Sequence, residues 1–326
     1  MIAEVIVDLS SESIDKIFDY ESIEGLQRGQ LVLVPFGNKQ IEGFVVNLKA
    51  HTDIPQGKLK AVGSILRNEP VIKEEMFALA EFMKQEYHLR MVDILRLFLP
   101  AEMRGGRVRE KIKNFVILND EYKDVEKVVD IRKNAHQQHN LLCYMRANPI
   151  ADYTKVCDTF SRGAVVALEQ KGVLKLCEQV VDRRPKIYET EKKNVTLTVE
   201  QQHTLDAILN KQNGKFLIHG VTGSGKTEIY MRIIEDCVAR GKTAIMLVPE
   251  ISLTGQVLSN FTNRFGDNVA ILHSGLSSGE RYDEWQRIFS KKANIVVGVR
   301  SAIFAPVENI GAIIIDEEHD NSYVSE

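Results

Sequence analysis

Eight consecutive residues, Gly220, Val221, Thr222, Gly223, Ser224, Gly225, Lys226 and Thr227, satisfy Gly-x-x-x-x-Gly-Lys-Ser/Thr at every fixed position. An apolar run from Lys215 to His219 precedes them and a helical pattern from Glu228 follows, the strand–loop–helix frame that gives this motif its meaning. The glycines let backbone N–H groups turn inward around phosphate oxygens, where larger side chains would obstruct. The start of the following helix aims its positive end at the same charge. In such a cradle Lys226 reaches the β- and γ-phosphates and the Thr227 hydroxyl ligates Mg2+. A Gly-rich surface turn would leave the strand and helix on either side unexplained.

A second constellation answers the first. Four apolar residues, Ala312 to Ile315, deliver Asp316, Glu317, Glu318 and His319 to a strand end. Ligands of parallel sheets bind at that edge. Asp316 is suited to hold Mg2+ through water, and Glu317 to polarise the water that attacks the γ-phosphorus. A charge cluster at a strand end is usually a solvated turn, but a phosphate cradle requires an acidic partner. ATP hydrolysis is therefore the leading chemistry.

The elements that must position these residues read as alternating strand and helix from Leu197 onward. Strands are expected at 215–219, 243–249, 268–273, 294–298 and 312–316, with helices at 228–240, 252–265 and 279–290 between them. That alternation means a largely parallel sheet wrapped by helices. Residues 1–66 read instead as short β-branched strands, at 3–8, 30–34 and 41–46, with turn signals at Pro35, Gly37 and Asn38. A helical stretch follows from Glu74 to about Leu99, with Met76, Leu79, Ala80 and Met83 at helical spacing, and Pro100 stops it. In the middle, helical patterns at 135–147, 153–159 and 162–171 are closed by Gly172 and a strand at 173–176. Three short helices and a strand is the layout of a winged helix, which either binds DNA through its third helix or serves as a protein–protein spacer. The resulting division is 1–103, β-rich; 104–194, winged helix with basic linkers; and 195–326, α/β.

Composition excludes other classes. The chain has 326 residues, 44% hydrophobic and 27% charged, enough apolar material for two or three cores. No run of about 18 apolar residues suggests a membrane span. The acidic start, with Glu4 and Asp8, argues against a signal peptide. Cys143, Cys157, Cys177 and Cys237 form no Cys-x-x-Cys pair, so neither a zinc site nor a disulfide framework is indicated, and a reduced, cytoplasmic protein is expected. The net charge of −3 divides into −4 over residues 1–100, +5 over 101–195 and −4 over 196–326. Attraction to a polyanion is thus concentrated in the middle third, which includes basic stretches at Arg104–Arg109, Arg183–Lys186 and Lys192–Lys193.

The order of the nucleotide motif, Leu247–Thr254, Leu272–Ser277, Gly298–Ala302 and Asp316–His319 resembles a superfamily 2 helicase, and more narrowly the bacterial replication-restart (primosomal) helicases. The likeness extends to Phe18-Asp19-Tyr20, Val34–Gly37 and Leu59–Val62, which are similar to that family's domain for the 3′ end of a nascent DNA strand. It implies that Phe18, Asp19, Gly37 and Lys60 line a terminal-nucleotide pocket: an aromatic face for a base, a carboxylate for a free hydroxyl and a lysine for phosphate. By themselves Phe18 reads as a core residue and Lys60 as a solvated one. The resemblance further implies that Gln201 reads adenine, that Arg300 lies near the translocating strand (with Val299 in place of the commoner Thr), and that His319 links hydrolysis to DNA movement.

The implied fold is multidomain α/β: a β-rich DNA-end-binding domain, a winged helix, and an incomplete RecA-like helicase lobe. The sequence ends at Glu326, ten residues past Asp316. The family continues with an aromatic-rich loop, a zinc-binding insertion, a second lobe and a C-terminal domain. The chain is therefore expected to be a fragment of an ATP-dependent DNA helicase, binding Mg·ATP and forked or single-stranded DNA without unwinding it, with zinc needed only beyond its end. By the same resemblance its partners are other primosome proteins and single-stranded-DNA-binding protein, and no membrane. Two other readings stay open: a different superfamily 2 DNA translocase, or a non-catalytic DNA-end-binding adaptor.

Overall fold

A computed structural model describes residues 1–9, 16–55, 57–106, 108–124, 129–183, 196–211 and 213–324. The basic stretches at 184–186 and 192–193 lie outside the described residues. The chain divides into two compact units: Arg109–Arg183, and Met1–Val108 together with Arg184–Glu326.

The larger unit opens on five strands: β1 (Ile2–Val7), β2 (Ile17–Glu21), β3 (Leu31–Phe36), β4 (Lys39–Lys49) and β5 (Ser64–Ile65). They pair antiparallel in the order β2-β1-β4-β3-β5. Alternation of side chains gives the sheet two apolar faces. Ala3, Val5, Val7, Val32, Val34 and Val45 pack on one face. Ile6, Leu31 and Phe44 pack on the other, beneath two helices. These helices are α1 (Glu74–Tyr87) and α2 (Met91–Phe98).

The single helix expected from Glu74 to Leu99 is thus broken. His88 stands in the left-handed region at φ 53° and Arg90 is extended. No Gly or Pro announces the break. It is repaid by packing, because the turn lets Met91, Val92, Ile94, Leu95 and Phe98 all be buried on a short helix of its own. The buried stripe of α1 is Met76, Phe77 and Ala80, whereas Leu79 is 39% exposed, contrary to its expected core position.

The smaller unit runs β6 (Ile112–Leu118), α3 (His136–Ala147), β7 (Ile150–Asp152), α4 (Tyr153–Phe160), α5 (Arg162–Gln170) and β8 (Leu174–Val180). Its strands form an antiparallel sheet, β7-β6-β8. The three expected helices and closing strand are present, while β6 and β7 went unread. Val116 and Leu118 of β6 complete the core formed by Leu141, Met145, Val156, Val165 and Leu168.

The larger unit resumes with α6 (Val199–Leu209), α7 (Lys226–Ala239), β9 (Thr243–Leu247), α8 (Gly255–Phe265), β10 (Val269–Leu272), α9 (Ser278–Phe289), β11 (Ile295–Gly298) and β12 (Ile310–Ile315). The sheet is parallel throughout, in the order β10-β11-β9-β12. This is the arrangement of a partial RecA-like lobe. The strand expected at 215–219 is not formed. Phe216 and Leu217 are 41% and 83% exposed, and only Ile218 joins the lobe core. A strand exists by its ladder, and the neighbouring edge strand β12 does not pair with this segment: Ile310, Ile313 and Ile315 remain nearly half exposed.

Helix α9 joins the lobe to the N-terminal sheet. Trp285, 1% exposed, stacks on Phe289 with ring centroids 4.9 Å apart, and its Nε1 donates to the Phe98 carbonyl at 3.4 Å. The Arg67 guanidinium lies 5.6 Å from the Trp285 ring and donates to Gln286 at 3.2 Å, while Arg281 pairs with Glu102 at 2.8 Å. One apolar cluster therefore spans Ile6, Phe44, Phe98 and Trp285.

Candidate functional site

Parallel register brings the lobe's motifs to one edge. Leu247 of β9 is paired with Gly298 of β11 and with Ile315 of β12, so Val248, Val299 and Asp316 all leave the sheet at the same end. The nucleotide loop meets this edge. Lys226 Nζ lies 3.9 Å from Glu317 Oε1 and donates to the Gly220 carbonyl at 2.9 Å and to that of Val221 at 3.4 Å. An ammonium satisfied by its own loop's carbonyls, beside an acid, is placed to exchange those contacts for phosphate oxygens.

Two glycines of the loop need their freedom. Gly223 and Gly225 have φ of 80° and 82°. A Cβ on Gly225 would stand 2.3 Å from Gln201 Nε2. Gln201 closes a capping box at the start of α6: its Oε1 accepts from Thr198 N at 2.9 Å while its own N–H donates to Thr198 Oγ1. Its Nε2 donates to the Ser224 carbonyl at 2.8 Å. The residue expected to read adenine thus also ties α6 to the loop. Thr222 and Thr227 complete the motif, Thr227 in the first turn of α7.

At the acidic end, Asp316 N donates to the Leu247 carbonyl at 2.9 Å, which extends the ladder one step past β12. Burial raises the Asp316 carboxyl above its usual range, and the adjacent Glu317 charge adds to the rise. Glu317 occupies the left-handed region at φ 47°, which costs a non-glycine residue about 1–2 kcal/mol. Its N–H donates to Asp316 Oδ1 at 3.2 Å. His319 is exposed, with Nε2 3.6 Å from Glu317 Oε2. Arg300 opens a 3₁₀ turn after β11 at the same edge and is exposed.

Two residues here were not anticipated. Tyr230, one turn into α7, is buried near Asp316, and burial followed by the Asp316 charge raises its phenol. Its spacing, four after Lys226, was the available signal. Tyr323 donates to the Asp316 carbonyl at 3.0 Å, and burial beside that carboxylate pushes its phenol up to about 12.

The metal question turns on donor chemistry. Thr227 and Asp316 offer hard oxygens, and a Mg2+ carried on phosphates takes one or two protein oxygens rather than a cage. Among the described residues no three His, Cys, Asp or Glu side chains converge. Thr227 and Asp316 fit the ion's preference for oxygen.

A second site lies on the N-terminal sheet. Phe18, Asp19, Gly37 and Lys60 line one cleft of about 440 Å³, with Phe36, Thr52 and Lys58. Phe18 is half-buried and meets Phe36 edge-on at 5.2 Å. Lys60 is exposed, and its Nζ donates to the Gly37 carbonyl at 3.3 Å. Asp19 accepts from Thr52 Oγ1 and pairs with Lys49 Nζ at 2.8 Å. Burial alone would raise the Asp19 carboxyl, but the Lys49 and Thr52 hydrogen bonds outweigh it and hold the group low. Lys49 and Thr52 went unread because a lone lysine and threonine at a strand end carry no spacing signal.

Known proteins share both parts. The model for the PriA 3′DNA-binding domain matches residues 4–100, and that for the DEAD/DEAH box helicase matches residues 198–325. The chain is 36% identical to the replication restart protein PriA of Bacillus subtilis over 399 aligned positions, covering 99% of the chain and 49% of that protein. Identity to the Haemophilus influenzae PriA is 33%, covering 94% of the chain and 43% of the relative. The Treponema pallidum PriA is 52% identical over 130 positions, 40% of the chain and 20% of the relative. No helix among the described residues is long and apolar enough to cross a membrane. The chain thus joins a PriA 3′DNA-binding domain to a DEAD/DEAH box helicase segment, is similar to replication restart PriA proteins over nearly its whole length, and spans about half the length of the curated relatives it matches.

Proposed function

We propose that this chain supplies the ATP-binding lobe and the DNA-end-binding domain of an ATP-dependent DNA helicase that restarts stalled replication forks. The observation that carries it is the approach of Lys226 to Glu317, 3.9 Å apart, at the edge where four parallel strands end. In this reading Gly220 to Thr227 cradle the phosphates and Lys226 neutralises the β- and γ-oxygens. Thr227 and Asp316 hold Mg2+, which supplies charge neutralisation at the transferring phosphoryl group when bound. Glu317 orients the attacking water, and its left-handed backbone keeps the carboxylate beside the cradle. Gln201, tied to the loop at Ser224, positions adenine next to α6. His319, within 3.6 Å of Glu317, transmits the state of the site to DNA held near Arg300.

The domains follow as 1–103 for the 3′ end, 104–194 for the winged helix and 195–326 for the lobe. Forked and single-stranded DNA are the substrates, with primosome proteins and single-stranded-DNA-binding protein as partners in the cytoplasm. Unwinding requires a second lobe, whose arginine is worth roughly 10³–10⁵ in rate in related P-loop enzymes. The purified 326-residue chain should therefore bind Mg·ATP without displacing a DNA strand. Titration calorimetry tests the first part: Lys226→Ala should weaken Mg·ATP binding tenfold or more, since a charge-assisted contact to phosphate is lost. Unchanged affinity in the folded variant would refute the assignment, and measured strand displacement by the wild-type chain would refute the second part.

A further inference from the structure

The end pocket has a counter-ion arrangement that its four expected residues do not include. Lys49 closes β4, and its Nζ lies 2.8 Å from Asp19 Oδ2 and 2.8 Å from Glu4 Oε1. The register explains the meeting. On β1, Glu4 stands opposite Asp19 of β2 on one side and Asn47 of β4 on the other. Asn47 donates to the second Glu4 oxygen at 2.8 Å, so both Glu4 oxygens are engaged.

Asp19 is engaged on one oxygen only. Lys49 and Thr52 Oγ1 both act on Oδ2, and among the described residues Oδ1 takes no hydrogen bond. The Asp19 side chain is 12% exposed and lines the cleft. A carboxylate clamped at one oxygen by a lysine and a hydroxyl has its remaining oxygen fixed in direction, with lone pairs that only a donor can satisfy.

We propose that Lys49 is the positioning residue of the end pocket: by bridging Asp19 Oδ2 and Glu4 it leaves Asp19 Oδ1 as a fixed acceptor that selects a terminal 3′-hydroxyl. Two carboxylates against one ammonium leave this corner with an excess negative charge, which disfavours a 3′-phosphate there. Lys58 and Lys60 elsewhere in the lining, which also includes Asp53, supply contacts to internal phosphates for any end. Hydroxyl selection and general DNA attraction thus come from different residues.

The inference deepens the end-pocket reading above and rests on it, so the test separates the two. Fluorescence anisotropy would follow a 5′-labelled single-stranded oligonucleotide ending in 3′-hydroxyl, in 3′-phosphate or in a dideoxy residue. Wild-type chain should bind the hydroxyl end about tenfold more tightly than the dideoxy end, the worth of one hydrogen bond to a charged group. Lys49→Gln should erase that preference while changing dideoxy binding less than twofold, and Lys49→Arg should restore most of it. Thermal unfolding of each variant checks that the sheet is intact. If wild type binds hydroxyl and dideoxy ends alike, the pocket reading and the Lys49 role both fall. If wild type discriminates and Lys49→Gln discriminates equally, only the Lys49 role falls. A uniform loss for all three ends would make Lys49 a plain phosphate contact and equally overturn its positioning role.

Discussion

Single residues decide the nucleotide site by what they lack as much as by what they carry. Gly225 combines a φ of 82° with a Cβ position 2.3 Å from Gln201 Nε2. Gly225→Ala would pay about 1–2 kcal/mol in backbone strain and displace the Gln201 side chain from Ser224. Since 1.4 kcal/mol is tenfold in affinity, Mg·ATP binding should weaken tenfold or more by calorimetry. A matched Gly223→Ala, with open space around its Cβ, isolates the strain from the overlap. If both variants bind as wild type does, the loop geometry is not what holds the nucleotide. Tyr230 belongs to the same scale: one buried phenol of α7 is raised by burial and by the Asp316 charge at the end of β12.

Elements are held by their ends. Helix α4 starts at Asp152, whose Oδ1 accepts from Thr154 N at 3.0 Å and Lys155 N at 3.3 Å, and whose Oδ2 pairs with Lys113 at 3.1 Å. The Lys113 hydrogen bond first, then those from the Lys155 and Thr154 backbone, hold the Asp152 carboxyl below its usual range. Asp152→Ala should therefore cost roughly 1–2 kcal/mol in the stability of residues 109–183, the upper end of the cap range. Urea unfolding followed by circular dichroism reads that loss; an unaltered midpoint would show that the cap is solvent-replaceable. At the opposite end of α4, Ser161 at φ 76° both stops one helix and opens the next.

At the scale of the larger unit, α9 makes the end pocket's sheet and the nucleotide lobe share a core. Trp285 is the chain's one tryptophan, so its fluorescence reports this junction alone. Trp285→Ala removes a ring that is 1% exposed, its stack on Phe289 and its bond to Phe98, and should cost about 3–5 kcal/mol. In wild type, tryptophan fluorescence and far-ultraviolet circular dichroism should report one coincident urea transition for this junction and the lobe. Fluorescence that moves well before the lobe melts would show that the two parts part company independently.

The two motifs that meet at the sheet edge could be picked out in the chain because they are local: Gly220 to Thr227 and Asp316 to His319 carry their spacing within a few residues, and alternating patterns around them specify β9 to β12. That Phe18, Asp19, Gly37 and Lys60 share one cleft was suggested only by resemblance, because Gly37 and Lys60 lie far from Phe18 and Asp19 in the sequence. What the linear order left undetermined depends on contacts between distant residues. The break at His88 is set by α2 seating on the sheet, and the absent strand at 215–219 by want of a paired neighbour. Lys49 meets both Glu4 and the cleft's Asp19 because β1 aligns Glu4 with Asp19 and Asn47 at once. Trp285 joins its own lobe to residues such as Phe44 and Phe98 that lie far from it in the sequence. Backbone geometry and periodicity act over a few residues and can be read in order. Burial and charge pairing act across the whole fold, and only the folded chain decides them.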